Sequence, residues 1–106
     1  MLDEVRRRRR SRMKRLEHSF TAREWAEALS YFNYRCSYCD TKTDALQREH
    51  VVPVSKGGPY TKGNIIPACS TCNTSKDSND FEPWFREQVF YTKKREKKIK
   101  KYLKRG

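Results

Sequence analysis

Two Cys-x-x-Cys pairs, Cys36/Cys39 and Cys69/Cys72, constrain this chain more than any other feature. Two residues between cysteines let both thiolates reach one ion from a single turn. Four thiolates complete the closed tetrahedral shell of structural zinc. The need for such a staple is physical: a chain of 106 residues with 35% apolar content is too small and too polar to rely on its core. No apolar run is long enough to span a membrane and no signal-peptide core follows the start, so a reducing, cytoplasmic setting is expected. In that setting paired Cys-x-x-Cys units read as metal ligands rather than disulfides. A closed shell of four cysteines has no open coordination position, so it holds the fold instead of doing chemistry.

Between the pairs lie 29 residues, 40 through 68, longer than in a simple zinc ribbon. This insert contains Leu46-Gln47-Arg48-Glu49-His50-Val51-Val52-Pro53, then Gly57-Gly58-Pro59 and Gly63-Asn64. Residues 45–54 read as a strand, Ile65-Ile66 as a short second strand that Pro67 ends, and 55–62 as the loop between them. Neighbouring side chains of a strand point to opposite faces. Glu49 and His50 are therefore presented to different targets unless the strand ends or bulges there.

The formal charge of +12 sits at the ends. Residues 1–15 carry eight of the 25 Lys and Arg, residues 93–105 carry nine, and the stretch between is close to neutral. Cationic arms of this kind suit a polyanion whose phosphates release counterions as Lys and Arg approach. Arg7, Arg8, Arg9 and Arg10 in the first arm, Lys97, Lys98 and Lys101 in the second, and Lys76 are the candidate nucleic-acid contacts. Solvated tails are the plainer alternative.

Local signals complete the layout. Thr21 and Glu24 form a capping box for a helix, with Phe20 and Trp25 at the staple positions and Trp25, Leu29 and Phe32 on its core face. Residues 70–76 read as a short helix, Pro83 falls in the first turn of another, and Thr92 caps a last helix with a thin Ile99, Tyr102, Leu103 stripe. The expected organisation is a basic N-terminal arm (1–19), a zinc-bearing domain (20–91) and a basic C-terminal helix or arm (92–106).

Glu49-His50, Asn64 and Asn73, with Glu-His-Val-Val-Pro-Val-Ser-Lys-Gly-Gly, Asn-Ile-Ile-Pro-Ala-Cys and Cys-Asn-Thr-Ser-Lys around them, resemble the HNH endonuclease motif over residues 34–77. The chain is similar to the small zinc-bearing HNH proteins of bacteriophages and bacteria. The resemblance implies an α+β, ββα-metal fold: a hairpin with the acid-His pair on its first strand, packed on a helix carrying the last motif residue. It also implies metal-dependent hydrolysis of DNA to 5′-phosphate and 3′-hydroxyl ends. Asn64 then has a conformational role, closing the loop around the catalytic histidine.

The chemistry agrees with those roles. An imidazole ordinarily titrates near neutral pH, so His50 suits a general base. The Glu49 carboxylate and the Asn73 carbonyl are hard oxygen ligands of the kind Mg²⁺ or Mn²⁺ accepts while keeping several waters. Asp77, four residues after Asn73 and so on the same face of a continuing helix, is a candidate third ligand, with a solvated carboxylate as the alternative. The resemblance implies a setting beside a phage terminase or as a homing enzyme. Cutting both strands would need two active sites or two binding events, so a terminase or a second copy of the chain is the candidate partner beside DNA. The competing function is a non-catalytic zinc module binding DNA or RNA through the same arms, which would have no need of Glu49, His50 and Asn73 together.

Overall fold

The computed structural model describes residues 19–106. The first arm, with Arg7, Arg8, Arg9 and Arg10, lies almost wholly outside the described residues. Helix α1 spans Ala22–Tyr31, strands β1 and β2 span Gln47–His50 and Ile65–Ala68, and helices α2, α3 and α4 span Ser70–Lys76, Phe81–Arg86 and Lys93–Leu103. Among the described residues, no helix is long and apolar enough to cross a membrane.

Helix α1 starts where its local signals put it. Thr21 accepts from the Glu24 amide and the Glu24 carboxylate accepts from the Thr21 amide, while the Phe20 and Trp25 rings meet edge-on at 6.4 Å. Its core face differs from the expected stripe: Ala28 and Phe32 are buried, whereas Trp25 and Leu29 are half-buried and line a groove with Leu46.

The two strands pair antiparallel, with Gln47 opposite Ala68, Glu49 opposite Ile66 and His50 opposite Ile65. Strand β1 is four residues long, not the ten of 45–54. The Val51 amide donates to the Asn64 carbonyl, the Val52 amide donates to the Asn64 side chain, and a 3₁₀ turn follows at Val54–Lys56. Strand β2, in turn, runs through Pro67 to Ala68 instead of stopping there. The Pro67 carbonyl accepts from both the amide and hydroxyl of Ser37 at 2.9 and 2.7 Å. Carbonyl and nitrogen of one strand residue point the same way, so the nitrogen without a proton faces the Ser37 side and costs the β1–β2 ladder nothing.

The hairpin packs on α2, giving the ββα arrangement of an α+β fold. The core gathers Phe32, Tyr38, Ile66, Trp84, Phe85, Ile99 and Tyr102. Helix α4 joins it: Thr92 caps the helix by accepting from the Arg95 amide. Ile99 and Tyr102 are buried, with Tyr102 packed on the Phe32 ring at 5.2 Å. The outer face of α4 keeps Lys97 and Lys101 exposed, and Lys98 lies 5.6 and 5.5 Å from the Tyr31 and Phe32 rings.

Candidate active site and metal centre

Two turns bring the cysteines together. The first is a knuckle closed by the Cys36 amide donating to the Thr41 carbonyl and the Asp40 amide to the Cys36 carbonyl, both at 2.9 Å. Asp40 adopts φ +68° to complete it. The second is the start of α2, where Cys69 is the N-cap and its sulfur accepts from the Cys72 amide. The four Sγ atoms all lie within 4.8 Å of one another, with Cys39 and Cys69 at 3.7 Å. Metal–sulfur bonds of about 2.3 Å in a tetrahedron space sulfurs about 3.8 Å apart. The cluster therefore fits a four-thiolate metal site. The Cys36 thiol is pulled down to about 5, chiefly by the hydrogen bond from the Cys72 thiol and against the cost of burial, and Cys72 is pushed up by the same bond.

On the other side of α2, a cavity of about 290 Å³ is lined by Arg48, Glu49, His50, Pro53, Asn73 and Asp77 among others. His50 sits at the end of β1, half-buried, its ring stacked on Tyr60 with centroids 5.7 Å apart and planes at 26°. Arg48, two residues earlier and so on the same strand face, is exposed, with its guanidinium carbon 5.2 Å from the Trp25 ring centroid.

Glu49 points the other way and is only 3% exposed. Its Oε2 accepts from the Tyr38 hydroxyl at 2.8 Å and faces the Lys76 ammonium at 3.6 Å. Lys76, read from the sequence as a surface phosphate contact, is instead 0% exposed, and its Nζ also donates to the His50 carbonyl at 3.1 Å. The correction has a plain cause. The last turn of α2 lies against β1, so its long side chain must enter the interior, where a carboxylate and a carbonyl meet the ammonium. Burial raises the Glu49 carboxyl, against the pull of Lys76 and Tyr38, and lowers the Lys76 ammonium against the pull of Glu49. The Tyr38 hydroxyl is raised by burial and by the Glu49 charge.

Asn73 is half-buried on α2 and donates its amide to Gln47 Oε1 at 2.6 Å, so its carbonyl oxygen is the group left for an ion. Glu49 and Asn73 line the same cavity. The second Glu49 oxygen and the Asn73 carbonyl are hard oxygen donors, of the kind a divalent cation such as Mg²⁺ accepts. Asp77 does not continue the helix as expected; α2 ends at Lys76, and Asp77 caps it at φ +47° while still lining the cavity. Asn64 closes the loop on itself. Its Oδ1 accepts from the Val52 amide at 2.8 Å, and its Nδ2 donates to the carbonyls of Val52 and Pro59, both at 3.0 Å.

Three site residues escaped the sequence reading. Arg48 was visible in principle, since strand alternation puts it beside His50. Tyr38 lies between two cysteines, where the pattern itself gives it no role, and Tyr60 lies in a loop whose course only the folded chain defines.

Residues 36–79 match the family model for HNH endonuclease. The chain is 33% identical over 100 residues to a prophage-derived protein of Bacillus subtilis (strain 168), SPbeta YoqL, named as an HNH endonuclease. That match covers 84% of this chain and 44% of YoqL. It is also 33% identical over 61 residues to the CRISPR-associated endonuclease Cas9 of Actinomyces naeslundii, covering 55% of this chain and 6% of Cas9. The chain thus spans less than half the length of either relative. The cavity residues Glu49, His50, Asn73 and Asp77, the Asn64 clamp and all four cysteines fall inside the matched segment, and residues 36–79 belong to the HNH endonuclease family.

Proposed function

We propose that this chain is a metal-dependent endonuclease that hydrolyses DNA phosphodiester bonds. The observation that carries the reading is the shared cavity lined by Arg48, Glu49, His50 and Asn73 within a segment matching HNH endonucleases. Phosphodiester hydrolysis needs a base for the attacking water and charge relief on the phosphate.

His50 is the general base: its imidazole accepts the proton of the water that attacks phosphorus. Arg48, on the same strand face and steadied by Trp25, holds a phosphate oxygen of the substrate strand. Glu49 and Asn73 would hold Mg²⁺ or Mn²⁺, which would supply charge relief for the hydrolysis. Asn64 fixes the loop that follows His50. The four cysteines hold zinc and keep the two ends of the hairpin insert together. The arms, through Arg7, Arg8, Arg9, Arg10, Lys97, Lys98 and Lys101, grip phosphates without reading sequence.

The test is plasmid cleavage by the zinc-loaded chain with Mg²⁺, Mn²⁺ or EDTA, beside His50→Ala. Cleavage should require the added ion and fall by at least about a hundredfold in His50→Ala. Cleavage that survives the substitution would remove His50 from the mechanism, and purified chain that binds but never cuts DNA would leave a zinc-stabilised binding module.

A further inference from the structure

Tyr60 sits in the loop between the 3₁₀ turn and β2, where nothing in the local sequence would hold an aromatic ring in one place. Three longer-range restraints do. Asn64 Nδ2 donates to the Pro59 carbonyl at 3.0 Å, pinning the residue just before it. Gly58 runs so close to Val52 that a Cβ there would meet the Val52 carbonyl oxygen at 1.7 Å, so the backbones touch. The Tyr60 carbonyl accepts from the Phe20 amide at 3.0 Å, tying the loop to the start of α1.

The ring so delivered contacts two others. Phe20, itself buried, lies 5.2 Å from it, and the His50 imidazole lies 5.7 Å away at an interplanar angle of 26°. Phe20, Tyr60 and His50 form an aromatic column running from the foot of α1 to the cavity. A half-exposed histidine at a strand end can occupy several staggered rotamers, and a flat ring stacked on its face favours one of them.

We infer that Tyr60 is a positioning residue that holds the His50 imidazole in its working orientation through the face of its ring. The inference rests on the nuclease reading of His50 for its catalytic consequence, although the ring contact stands independently. A base displaced by about an ångström loses up to about a hundredfold in rate, so the ring acts on turnover and not on substrate affinity.

The experiment uses the full metal-loaded chain, Tyr60→Phe and Tyr60→Leu, with kcat and KM on a DNA duplex in Mg²⁺ and proton spectra of the histidine rings. Tyr60→Phe should keep kcat within about twofold, and Tyr60→Leu should lower it on the order of ten- to a hundredfold with KM within about twofold. The His50 ring-proton signals, shielded by the phenol face, should move downfield in Tyr60→Leu and stay in place in Tyr60→Phe. A Tyr60→Leu loss expressed in KM, an equal loss in Tyr60→Phe, or His50 signals unmoved by Tyr60→Leu would each overturn the inference. Should Tyr60→Leu not fold, cross-relaxation between the two rings in the unsubstituted chain decides the matter, and its absence overturns it. Failure of the unsubstituted chain to cut DNA would sink the nuclease reading alone, leaving the ring signals to judge Tyr60.

Discussion

Lys76→Met is the most informative single change in the interior. It keeps the length of the side chain and removes the ammonium that lies 3.6 Å from Glu49 Oε2 and 3.1 Å from the His50 carbonyl. Both partners are almost fully enclosed, with side-chain exposures of 0% and 4%. Taking one member from a buried ion pair leaves the other charge uncompensated, at a cost of about 3–5 kcal/mol, against a total of about 5–15 kcal/mol for an ordinary domain. The pH dependence gives the loss a signature. Burial already holds the Glu49 carboxyl above its ordinary value while Lys76 pulls it down. Without Lys76 it rises further. A raised carboxyl means the folded chain keeps a proton that the unfolded chain releases, so stability falls as pH climbs above the ordinary glutamate range. The deficit relative to the unsubstituted chain should therefore widen as pH rises above the ordinary glutamate range and narrow on acidification. The double substitution Lys76→Met/Glu49→Gln removes the stranded charge, and should recover most of the loss and flatten the pH response. Denaturant unfolding of zinc-loaded protein, with no other divalent ion present, measures all three. A deficit below about 1 kcal/mol that ignores pH would refute the reasoning, because Glu49 would then be finding water or another cation.

Gly58→Ala should cost about 3 kcal/mol or more, since the new methyl would collide with the Val52 backbone 1.7 Å away and with Asn64 Nδ2 at 2.9 Å. Gly57→Ala, in open space at φ +83°, should cost only about 1–2 kcal/mol; equal unfolding midpoints would show that the close approach does not matter. Stripping the thiolate-bound ion with a strong chelator, or Cys72→Ser, should lower the unfolding midpoint followed by circular dichroism, and a midpoint that does not move without the ion would defeat the staple argument. Replacing Lys97 and Lys101 together with alanine should reduce the slope of log K against log salt by about 1.8 for duplex DNA; an unchanged slope would take those lysines off the phosphates.

What could be read from the sequence was local. The capping box at Thr21 and Glu24, the Thr92 cap and the spacing within each cysteine pair are decided by residues three or four apart, and their geometry follows directly. The limits of β1 were not legible, because the Val51 and Val52 amides turn from the ladder to an asparagine twelve or more residues away. Nor was the fate of Glu49. Alternation says that Glu49 and His50 part company, but not which face is interior. The answer depends on Tyr38 and Lys76, which approach from a cysteine knuckle and from the end of α2. A lysine in that position reads as solvated, since lysines are almost never fully enclosed unless paired, and the pairing is tertiary. Pro67 misled for a related reason: its effect on a strand depends on which side its nitrogen faces, and Ser37 decides that from outside the hairpin.

These tertiary contacts converge on one residue. Lys76 holds the carbonyl of His50, and Tyr38 and Lys76 hold the side chain just before it. Asn64 holds the backbone just after it, and Tyr60 covers its ring. Tyr38 belongs to the first cysteine knuckle, Lys76 to the helix that begins at Cys69, and Asn64 leads into the strand that joins them. A four-thiolate ion joining Cys36 and Cys39 to Cys69 and Cys72 would therefore fix, at one remove, the elements that restrain the imidazole. Losing the ion should loosen the site by freeing those restraints before it unfolds the chain, so His50 ring signals should broaden at chelator concentrations that leave helicity intact. Signals that stay sharp until the helices melt would mean that the hairpin is held by its own core and the metal contributes only to overall stability.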